Sequence, residues 1–171
     1  RESRDRVKAA LVNCSYSFPP KRITINLAPA DIRKEGPAYD LPIAIGILIA
    51  TEQLELTKPG RFALVGELAL DGTVRPVKGC LPMAIAALEA GIEALIVPET
   101  NAAEAAVVDG VSVYGVSSVA DAVGFLSGKL DLKPHTRKDR EETSDFLPED
   151  ELDLGDVKGQ EHVHSRRQGT P

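Results

Sequence analysis

Ala94-Leu95-Ile96-Val97, then Asn101-Ala102-Ala103-Glu104-Ala105-Ala106-Val107-Val108, then Val111-Ser112-Val113-Tyr114-Gly115-Val116 is the run that decides the fold. The first and third pieces are short, apolar and rich in β-branched residues, the pattern of strands. The middle piece is dominated by alanine, the strongest helix former. A strand, a helix and a strand in that order imply parallel strands joined by a crossover helix. Residues 81–90 read as a further helix, leading through Gly91 into the first strand, and residues 118–126 as a closing helix.

Upstream the pattern changes. Asp71-Gly72 marks a hairpin turn between Glu67-Leu68-Ala69-Leu70 and Thr73-Val74-Arg75-Pro76-Val77, the dipeptide being a strong tight-turn signal. Pro76 puts the second of these strands near an edge or bulge. Phe62-Ala63-Leu64-Val65 is a short apolar strand, and Arg22-Ile23-Thr24-Ile25-Asn26-Leu27 alternates as a strand with one buried face does. Residues 3–13 read as a helix with Ser3 as N-cap; Val7, Ala10 and Leu11 face inward and Arg4, Arg6 and Lys8 face water. After a loop at 28–39, Asp40 is expected to cap a helix over 41–52, with Pro42 tolerated in its first turn. The expected fold class is therefore α/β or α+β with a mixed sheet, the early part adding a hairpin and an antiparallel element.

The chain has 171 residues, 43% of them hydrophobic and 27% charged, enough for one packed domain and a tail. With 4% aromatics and no Trp, the core must come from Ile, Leu, Val and Ala. A net charge of −6 gives no global attraction to nucleic acid or anionic membrane, so any such contact needs a local patch. Cys14 and Cys80 lie far apart without metal-like spacing and read as reduced, buried or half-buried thiols of a cytoplasmic protein. No apolar run reaches the ~18 residues of a membrane span, and no signal peptide is visible. The chain opens at Arg1, already in a helical pattern, and reads as a fragment. Residues 129–153 are dense in charge and hold Pro134 and Pro148, the composition of a linker that cannot bury enough surface to order itself.

The chemistry centres on Arg33-Lys34-Glu35-Gly36-Pro37-Ala38-Tyr39-Asp40. A loop of this shape can present a nucleophile at a helix N-terminus, but Ala38 has no hydroxyl. It can also offer free N–H groups to an anion, although Asp40 would itself occupy that position. Ser15, Ser17, Thr24 and Thr51 do not follow Gly-Pro at a helix start, and Lys78 is the only lysine near the Gly79 turn, so a Ser–Lys pair is disfavoured. His162 and His164 could share a strand face but lack a third ligand, and no metal site is expected. The only Gly-Lys pair, Gly128-Lys129, is followed by leucine, so there is no phosphate-binding P-loop. Arg1, Arg4, Arg6, Lys8, Lys21, Arg22, Arg33 and Lys34 could converge on a phosphate-binding patch, or, with Glu2, Asp5, Asp31 and Glu35 interleaved, form a mixed-charge surface.

Several blocks in order resemble one family. They are Glu2-Ser3-Arg4-Asp5-Arg6-Val7; Ile23-Thr24-Ile25-Asn26-Leu27-Ala28-Pro29-Ala30-Asp31; Lys34-Glu35-Gly36; Tyr39-Asp40-Leu41-Pro42-Ile43-Ala44; Val65-Gly66-Glu67-Leu68; and Arg75-Pro76-Val77-Lys78-Gly79. The resemblance is to the N-terminal domain of the Mg-chelatase-like AAA+ ATPases, the ComM/YifB group linked to competence and DNA recombination. It implies a Lon-proteolytic-domain-like, ribosomal-protein-S5-domain-2-like fold. Lon-type proteases carry their serine in Lys-Asp-Gly-Pro-Ser and their lysine after Gly-Gly-Leu; the counterparts are Ala38 and Leu81, so the implied scaffold has lost both members of its dyad. The resemblance divides the chain into a Lon-like domain at 1–128, lacking the family's first strands, a charged flexible linker at 129–155, and a truncated AAA+ start with a divergent tail at 156–171. The family's strand region precedes Glu2, and after His164 the sequence departs from the family as a frameshift or truncation would.

The expected function is that of a non-catalytic domain of a DNA-processing ATPase, serving in ring assembly or DNA guidance and not an enzyme as this chain. A Lon-like Ser–Lys peptidase and a passive DNA-binding module are the alternatives. Arg33, Lys34, Glu35, Gly36, Arg22 and Arg4 are the expected DNA or partner contacts. ATP and Mg are expected in the parent only. DNA contact through the full-length parent and a homo-oligomer, a hexameric ring there, are the expected partners, without membrane.

Overall fold

A computed structural model of the chain describes residues 2–25, 36–57 and 60–136. In chain order the elements are α1 (Glu2–Asn13), a 3-10 turn (Pro37–Tyr39), α2 (Asp40–Ala50), β1 (Phe62–Leu64), β2 (Glu67–Leu68), β3 (Val74–Arg75), α3 (Cys80–Glu89), β4 (Ala94–Pro98), α4 (Glu99–Ala105), β5 (Ser112–Val116) and α5 (Val119–Leu126). β1, β4 and β5 form a parallel sheet in that order, with Ala63 opposite Leu95 and Leu95 opposite Val113.

The period-2 alternation of these strands sorts their side chains onto two faces. Ile96 and Val116 enter one apolar cluster with α1, α2 and α5, where Phe62, Leu64 and Tyr114 pack against it. Leu95, Val97 and Val113 enter a second cluster with Ala84, Ala87, Ala102 and Ala105 of α3 and α4. The sheet is thus covered by helices on both faces, which explains why its strands read as continuous apolar runs. Small alanines let α3 and α4 lie close to it. Each fully buried Leu, Ile or Val contributes roughly 1.5–3 kcal/mol of transfer free energy.

β2 and β3 pair antiparallel, with Glu67 opposite Arg75 and Leu68 opposite Val74. At the turn, Asp71 Oδ1 accepts from the Thr73 N–H at 2.9 Å and Gly72 has φ +89°. The hairpin is stitched to the end of β5: Val74 N–H donates to the Ser117 carbonyl and Val119 N–H to that of Gly72, both at 2.9 Å. Ser118 caps α5 by accepting from the Asp121 N–H. No helix among the described residues is long and apolar enough to cross a membrane.

The structure departs from the sequence reading at five places. Residues 22–25 are in no strand, and Ile23 and Ile25 are exposed; alternation alone makes no strand without a partner to pair its backbone. Asn26 and Leu27 lie outside the described residues. The neighbour of β4 from the early chain is instead β1, and it runs parallel. Ser3 sits inside α1 and not at its cap, because its hydroxyl is bound elsewhere. Asp40 likewise lies within α2.

Finally, residues beyond Gly128, as far as Thr136, lie against the domain. Leu132 packs against the first cluster, and the His135 N–H donates to the Val113 carbonyl at 2.8 Å. Local composition marked this stretch as linker, but an open edge on β5 gave it a surface to lie on. The remaining linker, the AAA+-like start, His162 and His164 lie outside the described residues.

A Cβ added at Gly72 would stand 2.2 Å from Cys14 Sγ. Left-handed φ alone costs a non-glycine residue about 1–2 kcal/mol. Gly72→Ala is therefore expected to lower unfolding free energy by about 2 kcal/mol or more in urea titrations. Adding Cys14→Ala should recover the steric part and leave the backbone strain.

Candidate functional site

The 3-10 turn carries Ala38, the expected counterpart of a Lon-type serine, directly after Gly36-Pro37. Two backbone bonds pin this turn to the loop after β1: Gly66 N–H donates to the Ala38 carbonyl at 2.8 Å, and Leu41 N–H donates to the Gly66 carbonyl at 3.0 Å. The Ala38 side chain is half-buried against the second apolar cluster, as are Ala63 and Val65. A methyl group belongs in that setting, and it can neither attack nor donate.

Two residues on, Asp40 is completely buried. Its carboxylate accepts from Arg6 Nε at 2.7 Å, Arg6 Nη2 at 3.3 Å, Ser3 Oγ at 2.5 Å and the Leu68 N–H at 3.4 Å. The bond to Asp40 raises the Arg6 pKa above its already high ordinary value, against the opposing effect of desolvation. Asp40 is therefore not a helix cap: the N-cap position is Tyr39, and no side-chain capping bond forms there. Its negative charge is spent on α1 and β2, and the Leu41 N–H is taken by Gly66, so the α2 N-terminus offers no open anion site there.

Leu81, the expected counterpart of a Lon-type lysine, is the second residue of α3; it is 37% exposed and its N–H is bound to Glu104 Oε1 at 3.0 Å. The turn before it is clamped by Asn101, whose amide accepts from the Val77 N–H at 2.9 Å and donates to the Val77 carbonyl at 3.0 Å and to Glu104 Oε2 at 3.2 Å. Sequence reasoning missed this clamp. Its trace was an Asn and a Glu three residues apart in an otherwise alanine-rich helix, which places both on one face. Lys78 is exposed, and the Thr51 hydroxyl donates to the Ile47 carbonyl at 2.7 Å.

Both cysteines are free, Cys80 buried and Cys14 half-buried, as their spacing suggested. Burial, and secondarily the Glu104 carboxylate, pushes the Cys80 thiol up to about 11. Burial and then Asp71 raise Cys14.

Of the six expected contact residues, the structure brings three together. Arg4, Arg22 and Gly36 line one groove of about 470 Å³ between α1, α2 and residues 18–25. Its remaining wall is largely apolar, including Phe18, Ile23, Ile25 and Ile43, so among the described residues the two arginines share the groove mainly with hydrocarbon. Lys8 Nζ lies 5.9 Å from the centroid of the Phe18 ring. Arg33, Lys34 and Glu35 lie outside the described residues. Among the described residues no group of three His, Cys, Asp or Glu could hold a metal ion.

Residues 1–101 match the family described as subunit ChlI of Mg-chelatase. The chain is 44% identical over 163 residues to the competence protein ComM of Haemophilus influenzae, covering 95% of this chain and 32% of that protein. It is 43% identical over 161 residues to the uncharacterized protein YifB of Escherichia coli, covering 94% and 31%. A weaker likeness, 28% over 96 residues, joins it to Lon protease 2 of Bacillus subtilis, covering 56% and 17%. The chain thus spans about a third of the length of ComM and YifB.

Removing one partner of a buried ion pair costs about 3–5 kcal/mol, whereas replacing the pair by hydrocarbon is often neutral. Asp40→Ala should destabilise by about 3 kcal/mol or more, and Arg6→Met with Asp40→Leu should recover most of the loss, read from chemical unfolding. For Cys80 the folded pKa lies above the ordinary value of 9.0, so folding favours the neutral thiol. That contribution is complete below about pH 9 and is lost as pH rises through about 11. Unfolding free energy measured between those pH values should fall less steeply in Cys80→Ala.

Proposed function

Because this chain belongs to the family of subunit ChlI of Mg-chelatase, we propose that it is the Lon-like, non-catalytic N-terminal domain of a ComM-like AAA+ ATPase that processes DNA. Its work in that protein is ring assembly or DNA guidance, in the cytoplasm. The observation that carries this reading is the pair Ala38 and Leu81. They stand where a Lon-type serine and lysine would be; one is packed against hydrocarbon and the other is at the start of α3. The helices on both sheet faces and the hairpin agree with the S5-domain-2-like scaffold of this proposal. What the domain keeps from a protease is the frame.

ATP and Mg belong, in this reading, to the AAA+ module. Asp40 is committed to Arg6, Ser3 and Leu68, and Gly128-Lys129 continues with a leucine where a P-loop needs Ser or Thr. Homology of the family to a magnesium chelatase subunit is no reason to place magnesium here.

The chain alone is expected to hydrolyse ATP no faster than background and to resist labelling by a serine-reactive fluorophosphonate. Turnover, or labelling that disappears in Lys78→Ala, would overturn the non-catalytic assignment. A direct DNA contact has one supporting observation, the shared groove of Arg4 and Arg22. If it operates, affinity falls steeply with salt, and Arg22→Ala lowers the slope of log affinity against log salt by about one. Salt-independent or absent binding would leave ring assembly as the role.

A further inference from the structure

The chain beyond α5 turns back along the sheet. Lys129 and Leu130 both donate their N–H groups to the Gly124 carbonyl, at 2.8 and 2.9 Å. Leu130 lies so close to α5 that a Cβ added at Gly124 would stand 3.0 Å from the Leu130 Cβ. Leu132 packs against the first apolar cluster. His135 forms an antiparallel bridge with Val113, and its Nε2 stands 3.2 Å from Glu99 Oε1.

This stretch is held more lightly than the strand it lies on. None of residues 129–136 is fully buried, whereas Val113 is 0% exposed and β5 pairs with β4 at five positions. The side chains of His135 and Glu99 are 25% and 50% exposed, and an ion pair so open to water contributes little. Segments with few buried apolar groups and water-accessible backbone bonds open locally, well below the free energy of global unfolding.

We propose that residues 131–136 form a releasable strap on the outer edge of β5, hinged at Leu130. The strap leaves the sheet while the rest of the domain stays folded. Residues 131–136 then have two arrangements, one clasped along β5 and one free from Leu130 onward. When clasped, the strap also shields an edge that would otherwise accept a strand from another chain. The inference rests on the domain's own contacts and stands or falls independently of the ATPase assignment.

Native-state hydrogen exchange of the full 171-residue chain, followed by NMR, reads this directly. The His135 amide should be protected relative to an unstructured peptide yet exchange at least tenfold faster than the amides of β4. Glu99→Gln should speed His135 exchange roughly twofold to fivefold and leave the β4 amides unchanged. Gly124→Ala should also speed it by displacing Leu130. The same change improves helix propensity in α5, so the melting temperature should not fall. Exchange of His135 at the β4 rate would make the strap part of the global unit, and exchange at the unstructured rate would mean that it is never clasped. Either result overturns the proposal, as would rates unmoved in both variants.

Discussion

A carboxylate removed wholly from water must find its full set of donors within the protein, and Asp40 does so by gathering three separate elements. Arg6 and Ser3 come from α1, Leu68 from β2, and Asp40 itself stands in the first turn of α2. An uncompensated charge at that depth would cost several kcal/mol, so α1, the hairpin and the turn bearing Ala38 share one set of positions. The bonds Gly66 to Ala38 and Leu41 to Gly66 extend the same constraint to the end of β1.

Ala38 and Leu81, the two positions matched in the proposal to a Lon-type serine and lysine, lie on elements tied into this frame. Ala38 adds a methyl to the cluster of α3 and α4, and Leu81 continues that helix while its N–H is occupied by Glu104. The surroundings of both are consistent with this content. Asp40 is neutralised by Arg6, and Cys80, beside Leu81, is kept a neutral thiol by burial. An apolar, charge-compensated interior is suited to stability and to presenting surfaces. That fits a domain whose proposed work is assembly or guidance.

Much of the fold was legible because local patterns and tertiary demands agreed. The apolar runs of β4 and β5, the alanine-rich α4 and the Asp71-Gly72 turn each state one structure unambiguously, and all four are present, α4 at Glu99–Ala105 in place of the expected 101–108. Arg22 to Ile25 shows the opposite case: its alternation is that of a strand, yet a strand exists only with a neighbour to pair it. Residues 129–136 show a third. Their composition is that of a linker, but the open edge of β5 supplied contacts that composition does not encode.

The candidate site divides along the same line. The sequence by itself determined that Ala38 and Leu81 carry no hydroxyl or amine, since a side chain without such a group cannot supply one whatever the fold. It also determined the parallel strands and the crossover helix, because periodicity is a local property. Only the tertiary structure decided what Asp40 does. An aspartate before a helix has the same appearance as a cap or as an ion-pair partner, and the choice depends on Arg6, 34 residues away in sequence. It also decided that Arg4, Arg22 and Gly36 meet in one groove and that Asn101 clamps Val77. Such convergence depends on how separate elements pack, and no local pattern records it.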